Sequence, residues 1–327
     1  MLPKSLLFSL LLLSGCVVIP IGDLLKGPAL EEQVLVEGDG FFSKDKIAII
    51  EVDGVITGGD FTGLIVSREN TVAEVKARLV KASKDTQVRG VVLRISSPGG
   101  EVTACDTIHH EIVEFKKSAK VPVVAAIVDE GASGGYYVAC AADRILAHPT
   151  SVVGSIGVLL QTFNLAGLLE KIGVETEAIK SADKKDLLSP FRGRSEEEIA
   201  VLNRVVQDLY RRFVEVVAAR PGGPGPQEAL KLADGRIFSG KEAQNLKLVD
   251  QVGYVSDAIA EVKERAGIDR KPTIVRYARI ARSGANIYTL SGTGPEAGGR
   301  GAGLQVSLRS DLFSARRFLY LWEPSAP

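Results

Sequence analysis

Apolar and polar positions alternate along most of this chain in two periods, one near two residues and one near 3.6. Residues 46–52 (KIAIIEV) and 90–95 (GVVLRI) are β-rich apolar runs, and between them 71–84 carries Val72, Val75, Leu79 and Val80 at helical spacing. The same reading predicts a helix over about 103–117, a buried strand at 121–128 (VPVVAAIV) and a buried helix start at 136–142 (YYVACAA). A short strand at 144–148, a helix near 165–171 and a further strand at 175–179 follow. The longest helix, 196–219, opens on Ser195 and Glu198 as a capping box and lines up Ile199, Leu202, Val206, Leu209, Phe213 and Val217 on one face. Strands alternating with helices in this way predict an α/β fold of βαβ-type units around a largely parallel sheet.

The pattern changes at both ends. Lys4 precedes an apolar run, residues 6–13, that is too short to span a bilayer, and LSGC (13–16) closes it. Residues 1–15 therefore read as a secretory signal peptide. The branched residue, two small residues and cysteine at its end resemble the lipobox of bacterial lipoproteins, which implies that Cys16 is lipidated and tethers the mature protein to a membrane. Several acyl chains anchor durably where one binds only marginally. Residues 16–44 then read as an anchor linker, 45–270 as the main domain and 271–327 as a tail. In the tail, 283–303 is rich in glycine and small polar residues. Beyond it the aromatic cluster Phe318, Tyr320 and Trp322 suits docking on the core, on a neighbour or among membrane headgroups.

Charge and cysteine content remove several function classes. Lys plus Arg and Asp plus Glu each total 40, so no net field draws nucleic acid or another polyanion. Cys105 and Cys140 sit in apolar, helix-like settings expected to bury them as free thiols. There is no CxxC, no HExxH and no cluster of ligand residues, so neither a metal nor another cofactor is expected.

The candidate chemistry centres on GASGGYY, residues 131–137, where Ser133 stands among small residues between a strand-like and a helix-like run. The backbone amides that follow it favour negative charge, so the position suits a nucleophile; a plain helix cap is the other reading. A serine hydroxyl needs a base. GxSxG suggests an α/β-hydrolase triad, but His148 is the one histidine after Ser133 and lies too few residues on for that order. The remaining candidates are lysines, Lys184 and Lys185 in IKSADKKDLLSPFR (179–192). A lysine acts as a base at neutral pH once desolvation brings its pKa down by about three units; a solvated turn is the alternative.

Four motifs in order, SSPGGEV (96–102), the stretch from GASGGYY to GSIGV (131–158), IKSADKKDLLSPFR and LADGRIFSGKEAQNLKLVDQVG (232–253), resemble the signal peptide peptidase A family of serine peptidases. The resemblance implies a fold like that of ClpP and the crotonases, a superhelix of repeated ββα units with a largely parallel sheet. It also implies that Ser133 is the nucleophile, Lys185 the general base, and Gly100 and Gly134 the backbone donors of the oxyanion hole. Ser155 corresponds to a serine that orients the lysine. Ala182 stands where the family's lysine motif has glycine. The single copy of each motif resembles the short form of the family, which implies a homo-oligomer whose sites draw on neighbouring protomers.

The resulting expectation is a bacterial, membrane-anchored lipoprotein on the extracytoplasmic side, a serine endopeptidase with a Ser/Lys dyad that degrades apolar peptides such as cleaved signal peptides. Two rivals stand beside it. A crotonase-like acyl-transfer enzyme would use the same pair of glycine amides on a CoA thioester, which an exported lipoprotein does not meet. A non-catalytic membrane-associated scaffold leaves the joint presence of Ser133, Lys185 and the PGG turn unexplained.

Overall fold

The computed structural model describes residues 30–40, 44–59, 61–62, 67–68, 70–279 and 319–321. Lys46–Asp53, Val88–Ser97 and Val123–Ala132 lie side by side in parallel at the centre of a nine-stranded sheet. Arg144–Ala147 and Gln251–Val252 extend it in parallel on one side, and Thr273–Ala278 on the other. Such strands must be apolar on both faces because helices cover both. Accordingly Ala48, Ile50 and Val52 enter one core cluster with Ile108 and Ile112, while Ile47 and Ile49 enter a second with Val255, Ala258 and Val262. Each fully buried aliphatic side chain of this kind contributes about 1.5–3 kcal/mol. This is the largely parallel α/β architecture expected from the alternating pattern.

Several helices match their sequence signals. Thr71–Lys84 is capped by the Asn70 side chain, which accepts from the Ala73 amide. Glu196–Ala219 begins with the reciprocal Ser195–Glu198 capping box. Its burial differs from the expected stripe: Phe213, Val216 and Val217 are buried, whereas Ile199 is 46 % exposed. Only the C-terminal half of this helix reaches the core, and its first turns are largely exposed.

Two further differences have topological causes. Residues 175–179 are irregular, and Ile179 is fully exposed at 100 %; β-rich composition makes no strand without an edge to pair with. Conversely, Glu31–Val36 pairs antiparallel with Thr273–Ala278, which pairs in turn with Lys46–Asp53. Both strands fall outside the 45–270 span read from the sequence, in segments read as linker and tail. A strand pairing over more than two hundred residues leaves no local signal. Buried Arg276 ties this edge inward, donating to Gln33 at 2.9 Å and facing Glu51 at 3.5 Å. Among the described residues no helix is long and apolar enough to cross a membrane, and Cys16 and residues 283–303 lie outside them.

Candidate active site

Ser133 stands where the strand Val123–Ala132 passes into the short helix Gly134–Ala139, as the sequence suggests. Its backbone is at φ 50°, ψ −118°, a region that residues with a side chain rarely adopt. Strain of this kind costs about 1–3 kcal/mol and persists where the surroundings over-determine it. The surroundings here are clear: the Ser133 amide donates to Gly154 O at 2.7 Å, and the Tyr137 amide donates to Ser133 O at 2.9 Å. The hydroxyl makes no capping bond. The helix-cap role is therefore not used, and the side chain is turned out of the chain path. Ser133 is 1 % exposed.

The PGG turn arrives from the neighbouring strand. After Val88–Ser97 the chain bends at Pro98 into Gly99–Glu101, which runs beside Ile56. The Ile56 amide donates to Gly99 O at 2.8 Å, and the Glu101 amide donates to Ile56 O at 2.9 Å. Successive residues of a strand point their amides to opposite edges, so the Gly100 N–H faces away from Ile56. Gly134, the residue after Ser133, lies close by. A Cβ on Gly134 would stand 3.1 Å from the Gly100 nitrogen and 2.4 Å from Cys105 Sγ. A Cβ on Gly100 would stand 2.0 Å from Ile56 O. Glycine at both positions lets the two backbone segments approach this closely beside Ser133.

Ser155 is brought to the same place. Ala132 pairs with Gly154 in the parallel register of Val123–Ala132 and Val152–Gly154, so Ser155 follows directly on the residue that holds the Ser133 amide. It too has a positive φ, 49°, and is 8 % exposed. Its amide donates to Arg236 O at 2.8 Å, and Ile237–Ser239 pairs antiparallel with Val152–Gly154. The 232–253 motif thus supports the Ser155 turn from behind.

Lys185 is the residue that the single chain does not bring in. It lies in the 3-10 turn Asp183–Asp186, exposed, and among the described residues no hydrogen bond joins it to Ser133 or Ser155. The turn itself is firmly held: Arg192 binds Asp186 at 2.7 Å and Glu198 at 2.6 Å, and Lys180 binds Asp186 at 2.8 Å. Hydrogen bonds from Arg192 push the Asp186 carboxyl far below its ordinary range and the Glu198 carboxyl down to about 2. Lys184 is engaged with Glu197 at 2.8 Å. That leaves Lys185 as the member of the pair with no ion pair among the described residues.

The histidines are occupied elsewhere. His148 Nδ1 lies 2.8 Å from Thr150 Oγ1, and its ring meets Tyr254 edge-on at 4.5 Å. Burial lowers the His109 pKa to about 4, and its ring packs edge-on to Tyr137 at 5.3 Å. Cys105 and Cys140 are buried free thiols, as expected; burial raises the thiol pKa of both, that of Cys140 to about 12.

Sequence reasoning did not single out the aromatic slot beside the serine. Tyr137 and Phe213 meet at 5.1 Å, and the Tyr137 hydroxyl donates to Asp106. The signals were present, as the second tyrosine of GASGGYY and the fifth-turn aromatic of the long helix, but both read as ordinary core.

Residues 115–269 match peptidase family S49. A signal peptide peptidase SppA homologue of Enterococcus faecium is 37 % identical over 249 residues, covering 76 % of this chain and 70 % of its own. The chloroplastic serine protease SPPA of Arabidopsis thaliana is 36 % identical over 258 residues, 77 % of this chain and 37 % of the plant protein. A membrane-bound stomatin-specific protease of known structure aligns at 14 % identity with a TM-score of 0.44, over 68 % of this chain and 86 % of its own, too distant a likeness to argue from. By its sequence relatives the chain belongs to peptidase family S49, the signal peptide peptidase A family, and is a serine-type peptidase.

Proposed function

We propose that the protein is a membrane-tethered endopeptidase with a Ser/Lys dyad that degrades apolar peptides such as signal-peptide remnants, and that Lys185 reaches Ser133 from a neighbouring protomer. The observation that carries the reading is the backbone at Ser133: a strained, positive-φ serine beside two closely approaching glycine segments. In the reaction Ser133 Oγ attacks the peptide carbonyl while Lys185 takes its proton, and the Gly100 and Gly134 amides receive the oxyanion. Lys185 then returns the proton to the leaving amine. Water, deprotonated by the same lysine, releases the acyl group. Ser155, next to Gly154, orients the lysine amine towards the Ser133 hydroxyl.

Assembly is supported by the segment that bears the base. Phe163, Leu168, Ile172, Ile179 and Phe191, all between residues 159 and 195, are each about half exposed or more. Apolar side chains gathered on one exposed segment mark a surface that a partner covers. A lipid on Cys16 supplies the tether.

The test uses an apolar fluorogenic peptide and purified protein. Ser133→Ala and Lys185→Ala each abolish hydrolysis, and mixing the two inactive variants restores part of it, because mixed assemblies pair an intact serine with an intact lysine. Full activity in Lys185→Ala sinks the dyad; loss in His148→Ala instead points to a histidine base.

A further inference from the structure

Ser97 ends the strand Val88–Ser97 immediately before Pro98 and is 0 % exposed. A hydroxyl taken out of water this completely has to find its partners inside the protein. It finds two: Ser97 Oγ donates to Gly54 O at 2.7 Å and accepts from the Gly99 amide at 3.1 Å. One proton and two lone pairs allow both bonds at once. The residue also touches the other side of the site, since a Cβ on Gly135, which follows Gly134, would stand 2.4 Å from Ser97 O and 3.2 Å from Ser97 Cβ.

Gly99 is the joint on which the direction of the Gly100 amide depends. Each peptide unit is planar and trans, so the Gly100 N–H points opposite to the Gly99 carbonyl. Ile56 fixes that plane by donating to Gly99 O at 2.8 Å. The plane before it, between Pro98 and Gly99, is fixed by the Ser97 hydroxyl through the Gly99 amide. The two planes meet at φ 103°, a conformation open to glycine and scarcely to other residues, and glycine turns out of it as easily as into it. The other bond of the hydroxyl, to Gly54 O, reaches the segment that leads to Ile56, and the Gly54 amide donates back to Ser96 O at 2.8 Å. One hydroxyl therefore joins the PGG turn to the residues that grip it.

We infer that Ser97 is a positioning residue for hydrolysis: by holding the Gly99 amide, its hydroxyl keeps the peptide unit between Gly99 and Gly100 from turning, and so keeps the Gly100 N–H aimed at the oxyanion. The inference rests on the proposed role of the Gly100 amide. Ser97 touches no reacting atom and acts through Gly99. Alanine at this position keeps the Cβ beside Gly135 but leaves the buried Gly99 amide without its acceptor. The turn then samples orientations in which the donor is missing. Because the oxyanion exists in the transition state and not in the bound peptide, the loss falls on kcat and spares KM.

The test is steady-state hydrolysis of an apolar fluorogenic peptide by the full-length chain purified in detergent, beside inhibition by a peptide aldehyde, whose hemiacetal oxygen on Ser133 takes the place of the oxyanion. Ser97→Ala lowers kcat by about ten- to a hundredfold, short of the loss of a whole donor, leaves KM within about twofold, and weakens the aldehyde by the same factor as kcat. Ser97→Cys, which keeps the shape of the side chain and a weak donor, falls between Ser97→Ala and the wild type, and it carries the test if Ser97→Ala does not fold. An alanine variant with kcat within about twofold of the wild type, or a fall in kcat that the aldehyde does not follow in either variant, overturns the inference. Gly100→Ala separates the two readings: if it is inactive while Ser97→Ala is fully active, only the role of Ser97 fails. If Gly100→Ala is fully active, the role of Gly100 fails and that of Ser97 with it. A wild type that neither cleaves the peptide nor binds the aldehyde overturns both.

Discussion

The two halves of the proposed catalytic machinery are built in opposite ways. Around Ser133 the backbone is buried and held from every side, by Gly154, by Ile56 through the PGG turn, and by the helix that begins at Gly134. Around Lys185 the backbone is an exposed segment that no strand covers, pinned by one guanidinium between two carboxylates and carrying apolar side chains outward. On the proposed mechanism, the difference separates what one chain completes from what assembly adds. A nucleophile and its oxyanion donors need precise, strained backbone, which only a packed sheet supplies. A base needs to be brought near and desolvated, which a neighbouring surface can do.

Gly100→Ala is the most severe way to break the first half. Its Cβ meets backbone, Ile56 O at 2.0 Å, so the Gly99–Glu101 strand must shift and its amide leaves the oxyanion position. We expect kcat to fall by at least about 10²–10³, the effect of losing one oxyanion donor, with a lowered melting temperature. Steady-state kinetics and thermal unfolding check this together.

Arg192→Ala breaks the second half and separates it from the first. The substitution frees Asp186 and Glu198 and lets the Lys185 turn wander, so kcat falls by about tenfold or more through mispositioning. The melting temperature of the sheet domain stays nearly unchanged, because the buried core does not include this segment. A large drop in melting temperature shows instead that arm and core unfold as one.

The smallest effect is a difference in acid response. The pKa of His109 is about 4 in the folded chain, lowered by burial, against an ordinary 6.5. The folded state therefore binds fewer protons than the unfolded state between those values. His109 contributes its full stability above about pH 6.5, and that contribution is lost as pH falls towards 4. On the arm, Glu198 stays ionised down to about pH 2, so its ion network holds through the same window. Denaturant unfolding between pH 7 and 4 is expected to show a slope of up to about one proton that His109→Gln removes.

Much of the fold was legible because its signals are local. Periodicity marked Thr71–Lys84 and, to within a few residues, Glu196–Ala219, and the Ser195–Glu198 box marked where the long helix starts. The apolar character of residues 46–52 and 90–95 marked strands, which the fold places in Lys46–Asp53 and Val88–Ser97 at the centre of the sheet. The partnership of Glu31–Val36 with Thr273–Ala278 was not legible, since neither segment carries a mark of the other. The irregular course of 175–179 was missed for the complementary reason: propensity proposes a strand, and an available edge decides.

The site divides along the same line. Sequence chemistry singled out Ser133 as a candidate among small residues, and the family resemblance added Gly100 and Gly134, since those are requirements on residue type. Folding was needed to turn Ser133 to a positive φ, to set Ser155 beside it through Gly154, and to keep Lys185 apart from both within one chain. It also took Tyr320 out of an aromatic cluster with three open destinations and set its carbonyl over Gly99 and Gly134. Residue types and spacings carry what each atom can do, whereas distance between segments far apart in the chain exists only once the sheet has paired them.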